Sequence, residues 1–236
     1  MQVVGITSSP KRNGNTATLL RAVLNGAAQG GAEVEEIFLP EYDIKFCKGC
    51  QGCMRNGSCH LEDDFNLLKE KISKADGIIF GSPNYAFSPN AMIKRLIERF
   101  GLFEYMTSSV LGGKYVIGLA TTAGQGAQKV AKYLTSIGRD GVFQRSYVSD
   151  IVTASGTFNI PVAENENKLK EARQAGQNLA KDIKTKKTYP FQNLFRRAIN
   201  YFIIKPRFTK NVLSQKDKNM KGVYENLVKR GLIADG

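Results

Sequence analysis

Four cysteines fall within thirteen residues, Cys47, Cys50, Cys53 and Cys59, with the spacing C-x2-C-x2-C-x5-C. Thiols so placed can serve four chemistries. Structural disulfides belong to oxidising compartments. A structural zinc site usually joins two separated pairs, so three ligands in seven residues match it poorly. A redox C-x-x-C pair uses two thiols and leaves two unexplained. Tight triplets of this kind are typical of cubane iron–sulfur clusters, in which each thiolate takes one iron and glycines let the chain wrap. Gly49, Gly52 and Gly57 meet that need. A cluster is the leading reading, unoccupied thiols come next and zinc last. His60, the only histidine, adjoins Cys59 and reads as a surface residue of the loop rather than a ligand.

Three further segments carry binding chemistry. Thr7-Ser8-Ser9-Pro10-Lys11-Arg12-Asn13-Gly14-Asn15-Thr16 is rich in hydroxyls and amides, holds two cations and ends where a helix pattern starts. A helix N-terminus offers unpaired N–H groups and a dipole that favours an anion. Ser9, Asn15 and Thr16 can add side-chain donors, with Lys11 or Arg12 supplying charge. A phosphate cradle and a plain capped helix both fit this loop. Ser82-Pro83-Asn84-Tyr85-Ala86-Phe87-Ser88-Pro89 is stiffened by two prolines and carries two aromatics. It suits a flat conjugated ring, and it also suits Tyr85 and Phe87 as packing residues. Thr121-Thr122-Ala123-Gly124-Gln125-Gly126 lets backbone approach a ring edge. Neither G-x-x-x-x-G-K-[ST] nor G-x-G-x-x-G follows the first strand, which argues against ATP hydrolysis and dinucleotide binding there.

The elements that must position these loops alternate. Gln2–Thr7, Glu33–Leu39, 77–81, 115–120 and 143–153 read as strands. Helix patterns cover about 16–29, 63–74, 90–103, 125–137 and 164–184. This order predicts a five-stranded parallel sheet covered by helices on both faces. Ligands in such sheets bind beyond the carboxyl ends of the strands, where the loops after the first, third and fourth strands meet. Residues 1–184 are expected to form one domain with a cysteine-rich loop at 43–62, followed by an extension over 185–236. Composition is that of a globular chain, with no apolar run near the ~20 residues of a membrane helix. Met1–Ile6 runs straight into strand pattern without a secretory leader, so a cytoplasmic location is expected.

Ser9-Pro10-Lys11-Arg12-Asn13-Gly14-Asn15-Thr16, Ser82-Pro83-Asn84-Tyr85 and Ile97-Glu98-Arg99-Phe100 together resemble the NADPH-dependent FMN reductase family of flavodoxin-like proteins, over about residues 1–184. That resemblance implies a flavodoxin-like fold with Ser9, Lys11, Asn15 and Thr16 on the FMN phosphate and Asn13 among the cofactor contacts. It also places Pro83, Asn84, Tyr85, Phe87, Thr121, Thr122, Gly124, Gln125 and Gly126 around the isoalloxazine. Many relatives carry Arg at the position of Lys11, and Lys keeps the charge but loses the planar fork. Glu98-Arg99 stands where Asp-Arg is expected. The cysteine motif is similar to that of the iron–sulfur flavoprotein branch, which implies that Cys47, Cys50, Cys53 and Cys59 all hold a [4Fe–4S] cluster beside FMN. Cysteine-rich loops without a cluster also occur in the wider family.

Those cofactors would let the protein pass electrons between NAD(P)H or ferredoxin and a small-molecule acceptor. No residue is required as general acid or base, since the flavin carries the reaction. Two alternatives are a cluster-free NAD(P)H-dependent FMN or quinone reductase and a non-enzymatic flavodoxin-type electron carrier. The chain's basic balance counts against the carrier. A module that keeps the fold without the cofactor is a third. The resemblance also implies a homodimer or homotetramer.

Residues 185–236 hold twelve Lys/Arg against three Asp/Glu, a net +9 of the formal +13. Residues 189–204 have apolar side chains at helical spacing, and Lys205-Pro206 is expected to end that helix. A second helix is expected over 218–230. The segment reads as an appendage packing on the domain or across a dimer, with contact to an anionic membrane surface or an acidic carrier as lesser alternatives. No nucleic-acid motif accompanies the charge.

Overall fold

The structure is a computed structural model that describes residues 1–139 and 141–235. Five parallel strands form the sheet: β1 (Gln2–Thr7), β2 (Glu33–Phe38), β3 (Gly77–Tyr85), β5 (Tyr115–Thr121) and β6 (Tyr147–Ala154), in the order β2-β1-β3-β5-β6. A two-residue strand, β4 (Ser88–Pro89), pairs antiparallel with the end of β3. The order reverses at β1, as the flavodoxin-like topology requires, so the crevice lies beside β1 and β3.

Alternate residues of each strand point to opposite faces. Val3, Ile79, Ile117 and Val152 pack under helices α1 (Asn15–Gln29) and α6 (Glu166–Lys184). Val4, Ile6, Ile78 and Phe80 pack under α3 (Phe65–Lys74), α4 (Ala91–Thr107) and α5 (Ala127–Arg139). Nearly all of the β3 and β5 residues are buried, which explains their continuous apolar runs. The first face is unusually tight. A Cβ at Gly26 of α1 would lie 1.9 Å from the Arg173 carbonyl oxygen, and one at Gly176 of α6 would lie 1.9 Å from that of Val23. The two helices touch backbone to backbone.

Two expectations about the strands change. The segment after the third strand is a β-hairpin rather than an open loop: β3 runs on through Ser82–Tyr85, and Tyr85 pairs with Ser88. Pro83 is accommodated because its place opposite Thr121 lies at the end of the parallel ladder. The hairpin turns through Ala86 (φ +50°) and Phe87 (φ +59°), a left-handed pair that glycine or asparagine usually fills. The last strand also starts at Tyr147 rather than Phe143.

The extension is helical: α7 (Leu194–Ile199), α8 (Lys205–Ser214) and α9 (Lys221–Lys229). Pro206 does not end a helix. Residues 200–204 form a π turn in which the Lys205 N–H bonds to the Asn200 carbonyl oxygen, and Pro206 then sits in the first turn of α8, where its missing N–H costs nothing. Tyr189 anchors the start of the extension by a hydrogen bond to buried Asp182, whose other oxygen is 3.3 Å from Lys187 Nζ. Val212, Met220, Val223 and Leu227 form a small core of their own with Met54, Met106 and Phe143 of the preceding residues. Among the described residues no helix is long and apolar enough to cross a membrane.

Candidate functional site

The loop after β1 is pinned to β3 and α4. Ser8 donates to the Gly81 carbonyl oxygen through both its N–H (3.0 Å) and its hydroxyl (3.1 Å), and its own carbonyl accepts from Asn90 Nδ2 at 2.6 Å. Asn90 also caps α4, accepting from the Ile93 N–H. Within the loop Ser9 Oγ accepts from the Lys11 N–H at 3.2 Å, and the Gly14 N–H closes the turn onto the Lys11 carbonyl. Helix α1 then begins with no side-chain cap and no acid in its first turn. Its N-terminal N–H groups and dipole face the polar loop, as an anion cradle requires.

The predicted phosphate residues divide. Ser9, Lys11 and Thr16 lie in or beside the turn. Thr16 Oγ1 is 2.7 Å from Thr121 Oγ1, a buried contact that joins the first loop to the end of β5. The side chain of Asn15 is turned to the segment before α6: its Nδ2 donates to the Thr157 carbonyl (3.3 Å) and its Oδ1 accepts from the Val162 N–H (3.0 Å). Asn13 is exposed and accepts from Arg21 Nη1 at 3.1 Å. These two amides already have protein partners.

The ring-binding candidates converge. Asn84 Nδ2 donates to Thr122 Oγ1 (3.2 Å) and to the Gln125 carbonyl (2.7 Å), tying the hairpin to the loop after β5. Its Oδ1 is buried with no partner. Gly126 has φ +95°, and a Cβ there would lie 2.8 Å from Phe87 Cδ1 and 2.9 Å from Asn84 Nδ2. Glycine is therefore needed on both backbone and steric grounds. A Cβ at Gly124 would meet nothing. Tyr85 and Phe87 are 53% and 59% exposed, so they are not packed beneath the loop. A polar edge with an unsatisfied acceptor, open backbone and two uncovered aromatic faces fits a planar heteroaromatic ligand.

The cysteine loop lies against α4. Asp63 and Asp64 hold its base, accepting from the N–H groups of Lys45 (2.9 Å) and Asp43 (2.8 Å). The loop turns through left-handed Gly49, Gln51 and Gly57 around a short helix, α2 (Gly52–Asn56). All four thiols are free; Cys47 and Cys50 are exposed, and Cys53 and Cys59 are half-buried. Burial, then the proximity of Cys59, Cys47 and Cys50, raise the pKa of Cys53. All four sulfurs therefore share one electrostatic neighbourhood. Among the described residues no three thiol, imidazole or carboxylate groups close on a single point as a metal centre. His60 is exposed, with Nδ1 3.8 Å from Cys50 Sγ.

Sequence reasoning did not assign the residues that fix this loop. Arg99 of α4 and Asp63 are fully buried and form a bidentate pair at 2.5 and 3.1 Å. Arg99 also donates to the Lys45 carbonyl (2.9 Å) and to Cys59 Sγ (3.2 Å). Burial acts to raise the Asp63 pKa, but the bonds from Arg99 and from the Lys45 and Phe65 N–H groups outweigh it and hold the carboxyl below the usual range. Lys69, near Cys59 and Cys53, lies 4.0 Å from the Phe103 ring centroid, and burial lowers its pKa. The back of the loop is covered by the extension: a Cβ at Gly222 of α9 would lie 2.0 Å from the Gly57 nitrogen. The Ile97–Phe100 motif was the one sequence signal for Arg99; nothing local pointed to Gly222.

A family model described as NADPH-dependent FMN reductase matches residues 1–159. An iron–sulfur flavoprotein of Archaeoglobus fulgidus is 31% identical over 188 residues, covering 79% of this chain and 82% of that protein. An iron–sulfur flavoprotein of Clostridioides difficile is 25% identical over 99% of this chain and 100% of its own length, so its match includes the extension. Among solved structures, a flavone reductase aligns with TM-score 0.64 at 21% identity, over 78% of this chain and 63% of that one. An NAD(P)H:quinone oxidoreductase from Methanothermobacter marburgensis aligns with TM-score 0.58 at 19% identity, over 76% of this chain and 96% of that one. These two likenesses concern the fold. The sequence matches reach further, and with them the chain belongs to the NADPH-dependent FMN reductase family, in its iron–sulfur flavoprotein branch, as an FMN-dependent oxidoreductase.

Proposed function

We propose that the chain binds FMN across the loops after β1, β3 and β5 and a [4Fe–4S] cluster on Cys47, Cys50, Cys53 and Cys59. In this reading it passes electrons between NAD(P)H or ferredoxin and a small-molecule acceptor. The observation that carries the cluster assignment is the Arg99–Asp63 pair: a buried cation, oriented by a buried carboxylate, donates directly to Cys59 Sγ. Such a donor favours the thiolate that a metal needs. The donor set, four sulfurs with flexible glycine turns between them, fits iron–sulfur chemistry better than zinc.

FMN exchanges electrons in pairs or singly, and a cubane cluster exchanges them singly. The chain's own residues bind and orient. Ser9, Lys11 and Thr16, with the start of α1, hold a phosphate. Asn15 and Asn13 brace that loop by binding the 157–162 segment and Arg21. Pro83, Asn84, Thr121, Thr122, Gly124, Gln125 and Gly126 present backbone and amide edges to a ring, and Tyr85 and Phe87 cover it. None is assigned a proton-transfer step. By likeness to the family the working unit is a dimer or tetramer.

The test is a visible spectrum of anaerobically purified protein with FMN, iron and sulfide quantified per chain. One FMN with about four irons and four sulfides supports the reading. FMN without iron after attempted reconstitution supports the second reading, a cluster-free NAD(P)H-dependent flavin or quinone reductase. A protein that refuses FMN sinks both.

A further inference from the structure

Lys69 of α3 is a half-buried cation, and among the described residues no Asp or Glu pairs with it. The other positive charges around the cysteine loop are placed differently. Lys45, Lys48 and Arg55 are exposed, where water screens them. Arg99 is buried, but Asp63 cancels its charge. Of these five, Lys69 alone keeps an uncancelled charge partly out of water.

An aromatic floor fixes its place. The rings of Phe65 and Phe103 lie 6.0 Å apart, centroid to centroid. Arg99 stacks its guanidinium on Phe65 at 4.4 Å, and Lys69 sets its ammonium on Phe103 at 4.0 Å. Cys53 and Cys59 pack on the core cluster that contains both rings. Cys53 and Phe103 also line one narrow gap together with Gly222 and Val223 of α9. Burial lowers the Lys69 pKa, and the charges of Cys59 and then Cys53 act against that fall. The attraction is mutual: thiolates that favour the ammonium are favoured by it.

Taking up an electron adds one negative charge to a metal centre. A fixed cation beside it, on an apolar floor where screening is weak, makes that charge easier to accept. A lysine that merely laid its stem on Phe103 would pack as well without its charge and would leave the sulfurs unaffected.

We propose that Lys69 sets the redox balance of the cysteine loop: its ammonium, held on Phe103, offsets the charge of Cys53 and Cys59 and raises the one-electron reduction potential of the [4Fe–4S] cluster they hold. This rests on the cluster reading of the loop. Its test is a potentiometric titration of the full-length, anaerobically reconstituted protein with dithionite, following the cluster by EPR and the flavin by its visible band. Lys69→Gln is expected to shift the cluster's reduction equilibrium about tenfold or more toward the oxidised form, about 59 mV for one electron, with the FMN potential unchanged. Lys69→Arg should restore most of the wild-type value. Lys74→Gln, which removes the same charge from the exposed face of the same helix, should leave the potential in place. A second measurement needs no metal. In iron-free protein, Lys69→Gln should slow iodoacetamide alkylation of Cys53 and Cys59 several-fold and leave Cys47 and Cys50 unchanged. A cluster-loaded Lys69→Gln with the wild-type potential overturns the proposal, as does an unchanged alkylation pattern where that variant loads no cluster. Wild-type protein that takes up no iron removes the cluster reading itself, and this proposal with it.

Discussion

Arg99 Nη2 lies 3.2 Å from the sulfur of Cys59, and the same guanidinium grips both carboxylate oxygens of Asp63. The base of the cysteine loop is thus attached to the middle of α4 through one buried ion pair. Removing one partner of such a pair leaves an uncompensated charge, at a cost of about 3–5 kcal/mol. Asp63→Asn is expected to lose stability of that order in urea denaturation and to loosen the loop. The pH dependence follows from the depressed carboxyl. Its contribution is complete above the unfolded value of about 3.9 and is lost as pH falls toward the lower folded value. Wild-type stability should therefore drop steeply below about pH 4, and Asp63→Asn should flatten that limb. An unchanged acid limb would remove Asp63 from this role.

Glu104 has the opposite sign. It is buried in α4, its Oε2 accepts from the N–H groups of Val110 (3.1 Å) and Leu111 (2.7 Å), and its Oε1 has no partner. Burial raises its pKa to about 7 against those bonds and the charges of Arg230 and Lys114. An acid whose folded pKa is raised destabilises the fold when ionised, so stability should fall as pH rises from about 4.3 to 7. Glu104→Gln keeps the acceptor for both N–H groups and removes the titration. It should flatten the stability profile between pH 5 and 7 by up to about 3 kcal/mol, read by urea melts at the two values. Equal slopes in both proteins would refute the assignment.

Gly222 is where the extension meets the cysteine loop. Gly222→Val must push α9 away from Gly57, because even a Cβ has no room. Amide exchange should speed up over residues 52–57 and 205–230, and iron content should fall while FMN is retained. Protection as slow as in the wild type would show that the contact is dispensable.

Gly126→Ala tests the ring edge in the same steric terms. The added methyl meets Phe87 and Asn84 and forces a left-handed backbone on alanine, at about 1–2 kcal/mol for the backbone alone. FMN affinity should weaken about tenfold or more, measured by quenching of flavin fluorescence, with little change in the cysteine loop. Asn84→Ala should weaken FMN binding too, because it frees the hairpin from Thr122 and Gln125. Wild-type affinity in both would place the flavin elsewhere.

Much of this was legible in the chain itself. Buried strands such as 77–81 and 115–120 announce themselves because parallel strands covered on both faces must be apolar throughout. The polar loops after them were readable because a parallel sheet puts its ligand at one end. The hairpin at Tyr85–Ser88 was hidden because Pro83 and Pro89 look like loop residues and the turn uses Ala86 and Phe87 instead of glycine or asparagine. Pro206 misled for a related reason: a π turn moved it into the first turn of a helix. The pairing of Asp63 with Arg99 and of Gly57 with Gly222 joins residues far apart in sequence, where no local periodicity reports contact.

Helix α4 has a metric consequence. Asn90 at its start holds the loop after β1, and Arg99, nine residues on, holds Cys59. At about 1.5 Å per residue the two anchors stand some 14 Å apart along the axis, two and a half turns round. The helix is thus a ruler between the two candidate cofactor sites. One inserted residue would swing Arg99 by about 100° and strand Asp63, whereas four would leave it about 40° off its bearing and add about 6 Å. The length of this stretch is therefore fixed by both sites at once.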